Sequence, residues 1–168
     1  MFGRNRRKAT EHTIQAIQPL IATYQNFSGL PPHFWRDEFV LGFIGVMIGF
    51  HGSVTSGRSL SQADKGYLLY DVFTALSNMN GQAIGRDYTR LATQSPKSPD
   101  FEKGAHHASI CALASIGKIT EEGQPYYEQA EEMAAAQGTP NDVGAIIGSL
   151  LHILFYQPLQ ERFDLGSP

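Results

Sequence analysis

The longest run without a polar side chain is Phe39 to Phe50, in which Gly42, Gly45 and Gly49, continued by Gly52, recur at steps of three, four and three. That spacing marks one face of an α-helix. The other faces carry Phe, Val, Leu, Ile and Met, so the pattern predicts a helix over about 33–53 that is buried all round and striped with glycine. Each interior glycine costs about 1 kcal/mol relative to alanine. The stripe therefore needs an offset, and the close approach of another backbone supplies one. The apolar run makes about 18 Å of helix, short of a hydrocarbon core of about 30 Å. A buried core helix is expected rather than a membrane span.

The same reading places helices along the rest of the chain. Thr10 is the expected cap of a helix from Glu11, with Ile14, Ile17, Ile21 and Tyr24 on one face and a kink at Pro19. Ser61 and Asp64 form a near capping box. The helical period that follows runs to about Ala92, too long for a straight helix in a domain of this size, so a break is expected at Asn80-Gly81. Ser98-Pro99-Asp100 opens a helix with a thin face of Ala105, Ala108, Ala112 and Ile116 that stops near Gly117-Lys118. Pro125 begins a short helix through Gln137. Gly138-Thr139-Pro140 is expected to turn tightly into the last helix, over 140–156, with Thr139 as N-cap, Pro140 first and Pro158 limiting its extension. No segment alternates as a strand does. The fold class predicted is all-α, about six helices packed around the glycine-striped helix at about 33–53.

Composition changes this picture little. Hydrophobic residues at 42% and charged residues at 17% of 168 describe a globular chain, read as one helical domain over 10–168 behind a basic arm at 1–9. Arg4, Arg6, Arg7 and Lys8 hold four of the thirteen basic residues, leaving nine against sixteen acidic ones beyond the arm. Such an arm suits nucleic acid or an anionic membrane surface as partner, although chain ends are more commonly solvated tails. The single Cys111 excludes an intramolecular disulfide and fits a reducing cytoplasm. No apolar run follows the basic start, so no export signal is read there.

Candidate chemistry is sparse. Gly52 to Ser59 follows phosphate-loop spacing with Arg58 in place of lysine, but it extends a helical pattern where such a loop must leave a strand. A weaker anion site at a helix start near Ser59 and Ser61 survives that objection. His107 and Cys111 share a helix face as a base and nucleophile do, yet the apolar neighbours of Cys111 favour a buried, inert thiol. His51, His106, His107 and His152 all fall on expected helices, where a bundle can hold a metal ion between facing side chains; no other cofactor is expected. The preferred reading is a non-enzymatic interaction or regulatory module that self-associates as a homodimer, with Gly45, Gly49, Gly144 and Gly148 at close helix crossings. The alternative is a small-molecule or metal-binding bundle that uses the histidines.

Overall fold

The computed structural model describes residues 2–56 and 60–163, and among them the chain forms seven helices and no strand. They are α1 (Phe2–Ser28), α2 (Glu38–Ser56), α3 (Gln62–Ser77), α4 (Gly81–Thr93), α5 (Pro99–Ser115), α6 (Gln124–Ala136) and α7 (Val143–Phe163). The all-α class follows from the sequence as expected. Two compact units, Met1–Ala105 and His106–Pro168, divide the chain within α5.

In the N-terminal unit, α1 starts well before the expected cap, and Thr10 lies inside it. Residues 2–9, read as a basic arm, are its first turns. Arg7 donates to Glu11 at 2.8 Å, the Arg6 guanidinium stands 5.0 Å from the Tyr67 ring centre and 3.9 Å from Asp71, and Ala9 is fully buried. Arg6 and Arg7 are thus drawn onto the helix and its neighbour α3. Ala9, Thr13, Ile17, Leu20, Ile21 and Tyr24 form the buried face of α1, which lies on α2 and α3.

The central helix begins later than 33. Phe34–Arg36 forms a separate 3₁₀ turn that buries Phe34 and Trp35, and Asp37, with extended backbone, accepts the Val40 N–H at 3.1 Å. That carboxylate is the cap that starts α2 at Glu38. Burial is complete from Phe39 to Gly45, but Val46, Met47 and Phe50 are half-buried and Gly49 is exposed. All-round burial therefore holds for the first half of α2 and fails for the second.

Ser61 accepts the Asp64 N–H at 3.1 Å and donates to its carboxylate at 2.7 Å, which starts α3 as the capping pattern predicts. The expected break at Asn80-Gly81 is also present: Asn78 closes α3 in the left-handed region and Asn80 caps α4 through the Ala83 N–H. Pro99 is the first residue of α5, and the Ser98 hydroxyl donates to Glu38, tying the start of α5 to the start of α2. Above that tie the two helices cross on glycine. A Cβ on Gly42 would lie 2.3 Å from the Phe101 carbonyl oxygen, and one on Gly104 would lie 2.1 Å from that of Phe39. This crossing is what the glycine of α2 was expected to allow; its partner Gly104 carries no apolar stripe that would announce it.

In the C-terminal unit, α5 and α6 end alike. Gly117 and Gly138 have positive φ, and the next residue donates its N–H five residues back, Lys118 to Leu113 and Thr139 to Ala134. This is the Schellman closure that glycine favours. Thr139 thus finishes α6 and does not cap α7. Asp142 is the cap, accepting the Ala145 N–H at 3.0 Å, and Pro140 stands in the turn before it. Nor does Pro158 stop the last helix at 156. Proline has no N–H for the carbonyl of Leu154, one α-turn back, and the helix meets this with a π turn over His152–Tyr156 before running on as Gln157–Phe163. Gln157 donates to His152, five residues back. The Leu154 carbonyl receives its hydrogen bond from His107 Nδ1 on α5, at 2.8 Å.

Candidate functional site

The four candidate histidines occupy unlike settings. His51, on α2, has its ring edge-on to that of His12 on α1, with centroids 6.1 Å apart, and 5.3 Å from that of Phe50. Burial, and then the charge His12 can carry, hold the His51 pKa below the usual histidine range. His107 is buried, and because a carbonyl only accepts, its bond to Leu154 places the proton on Nδ1. His106 is exposed, with Nε2 3.7 Å from a Glu122 carboxylate oxygen. His152 is exposed beside a cleft between α6 and α7. Among the described residues no three His, Cys, Asp or Glu side chains converge as a metal-ligating group. His12, which meets His51, escaped the sequence reading because nothing local marks which residues of α1 will face α2.

The nucleophilic and phosphate-loop readings lose their geometry. Burial pushes the Cys111 thiol up to about 12, far from the depressed value an attacking thiolate needs, and the Nδ1 proton of His107 goes to a main-chain carbonyl. Gly52–Ser56 is the end of α2 and Tyr67–Asp71 lies on α3, so neither is the strand that phosphate binding requires. Gly57, Arg58 and Ser59 lie outside the described residues. At the start of α3, Ser61 and the Asp64 carboxylate already occupy the place where an anion was expected to sit. Of the basic segment, Arg6 and Arg7 are engaged with Asp71, Tyr67 and Glu11; the Arg4 side chain is not among those described.

The glycines sort into two groups by what a Cβ would meet. At Gly42 it would strike the α5 backbone, at Gly45 the Tyr88 ring 2.0 Å away and at Gly52 the Leu68 side chain 2.3 Å away. At Gly49 and Gly148 it would meet nothing within 4 Å, and at Gly144 only the Asp142 carboxylate, 3.2 Å away. Of the four glycines expected at close crossings, Gly45 is filled from within the chain and the other three face outward. Around Gly49 the outward surface is mostly apolar: Val46, Met47 and Phe50 are half-buried and Val54 is 54% exposed, while the exposed Ser53 turns its hydroxyl back to the Gly49 carbonyl. The exposed positions of α7 are Val143, Gly144, Gly148, His152, Gln157, Gln160, Glu161 and Arg162.

By length and composition both α2 and α7 meet what a membrane span requires, and about half of each lies buried within the chain. Comparison with known protein families, with curated proteins and with solved structures finds no match to this chain.

Proposed function

We propose that this protein is a non-enzymatic helical interaction module that self-associates through the outward face of α2 around Gly49. The observation that carries the reading is an imbalance among the α2 glycines. Gly42, Gly45 and Gly52 each admit a neighbour from the same chain, whereas Gly49 bears the same helix-propensity cost of about 1 kcal/mol with no internal contact to offset it. A glycine notch flanked by Val46, Met47, Phe50 and Val54 suits a second copy of the same helix crossing closely at a two-fold axis. Acyl chains suit the molecule less well, because apart from Val143 the exposed positions of α7 are glycine, histidine, glutamine, glutamate and arginine, where lipid favours large apolar side chains. A cytoplasmic location accords with this surface and with one buried free cysteine.

Light-scattering mass tests the proposal. Wild type is expected at twice the 18.5 kDa of one chain, and Gly49→Leu at the single-chain mass with its helical content intact, since leucine is the better helix former. A wild-type monomer at high micromolar concentration, or a Gly49→Leu variant that keeps the wild-type mass, overturns it.

A further inference from the structure

The two halves of α1 are held unequally. The second half buries the large side chains of Ile17, Leu20, Ile21 and Tyr24, and Tyr24 stacks on Phe34 with ring centres 5.8 Å apart. Among the described residues before Ile17 only Ala9 and Thr13 are buried, so the first half removes far less apolar surface from water. Pro19 stands at the boundary and has no N–H for the Gln15 carbonyl one turn back. The helix is therefore weakest over 15–19, where its well-packed half begins.

The face that the first half turns to α2 and α3 is also polar where polarity is costly. Arg6, Thr10, Thr13 and Ile17 follow along it at steps of four, three and four. The hydroxyls of Thr10 and Thr13 are both shut off from water with no hydrogen-bond partner among the described residues. Thr55, Thr74, Thr89 and Thr93 each return theirs to the carbonyl four residues back. Two stranded hydroxyls count against the docked arrangement.

Beside Thr13, His12 meets His51 of α2 edge-on, with ring centres 6.1 Å apart. Among the described residues no carboxylate pairs with either imidazole: Arg7 holds Glu11, Arg6 stands against Asp71, and Ser61 holds Asp64. After Glu38, α2 bears no other charged side chain, while Lys8, one turn before His12, and Lys65 on α3 add only positive charge. Burial first, and the charge on His12 second, keep His51 below the usual histidine range while α1 is docked; opening returns it to water. Proton uptake therefore favours the open helix, and the docked state keeps its full advantage above about pH 6.5 and loses it on acidification.

We propose that the first half of α1 is a pH-operated latch that peels from α2 and α3 on acidification, pivoting near Pro19, and uncovers the apolar surface beneath Ala9 and Thr13. The latch does not depend on the Gly49 surface, and its failure would leave self-association standing. Residue-resolved amide hydrogen exchange of the full chain, corrected for the intrinsic effect of pH on exchange, tests it. At pH 7.5 the amides of residues 9–14, which lie beyond the first turn, should be protected about tenfold less than those of residues 20–24. At pH 5.5 that gap should widen by about threefold or more. Thr13→Val keeps the shape and the helix propensity of threonine and should slow exchange over residues 9–14 by about tenfold. His51→Gln should remove most of the pH response, and His12→Gln should reduce it. Equal protection of the two halves, a gap that does not widen at pH 5.5, a pH response that survives His51→Gln, or a Thr13→Val variant exchanging as fast as wild type overturns the proposal.

Discussion

Placing a single methyl group on Gly104 tests the account of the α2–α5 crossing. The new Cβ would lie 2.1 Å from the Phe39 carbonyl oxygen, where ordinary contact begins at 3.4 Å, so the helices must part by about 1.3 Å. The obstacle is backbone and cannot rotate away. Alanine gains about 1 kcal/mol of helix propensity over glycine, while overpacking costs about 1–3 kcal/mol. Separation also loosens the fully buried Phe39 and Phe43 beside the crossing. With the propensity gain set against it, the net expectation for Gly104→Ala is a loss of up to about 2 kcal/mol. Gly42→Ala should act likewise, and the double variant should lose less than the sum, because helices already parted have room for the second methyl. Urea denaturation of wild type, both single variants and the double variant supplies the measurement. If Gly104→Ala is as stable as wild type or more so, the backbone contact does not hold the helices at this distance and the reasoning fails.

Three other perturbations follow from the same geometry. His51 titrates below the usual histidine range in the folded chain, so the unfolded chain takes up the proton first; stability present above about pH 6.5 should decline on acidification, and His12→Gln should lessen that decline in urea midpoints measured from pH 7.5 to 5.5. Removing the donor to the Leu154 carbonyl with His107→Phe should cost about 1–3 kcal/mol. In a Pro158→Ala background, where the helix recovers its own N–H, the same change should cost less, and equal losses in a double-mutant cycle would refute the link. Cys111, with its thiol up at about 12, should resist iodoacetamide at pH 8 in the folded protein and react promptly in urea; fast labelling of the native chain would contradict its burial.

Much of the helix punctuation was legible because it is local. Ser61 with Asp64, Asn80, Pro99, Gly117 and Gly138 each act through hydrogen bonds or dihedral angles within a few residues, and each marks an end where the sequence places one. Two local signals misled. Thr139 and Pro140 resemble the start of a helix, yet the threonine closes the previous one, its N–H and its hydroxyl both donating to the Ala134 carbonyl. Pro158 resembles a stop, but a histidine far away in sequence satisfies the carbonyl that the proline strands. The site was less legible because it depends on which faces meet. The regular helical spacing of Gly42, Gly45, Gly49 and Gly52 gives no sign that Tyr88 fills one notch and leaves another open. The steps of four from Gly144 through Gly148 to His152 suggested a packing seam, but these positions are exposed and a Cβ on Gly148 would meet nothing within 4 Å; Gly148 and His152 instead line an open cleft.

Self-association through Gly49 is the central claim, and disulfide trapping across the proposed axis tests it most directly. Helices crossing at Gly49 on a two-fold axis bring the two copies of this residue within bridging range, Cα atoms about 4.4–6.8 Å apart. Gly49→Cys should then form a covalent dimer under mild oxidation much faster than Gln82→Cys, a comparably exposed position on α4. The buried Cys111 should contribute nothing in either case. Gly49→Cys cross-linking no faster than Gln82→Cys at equal protein concentration would contradict the account.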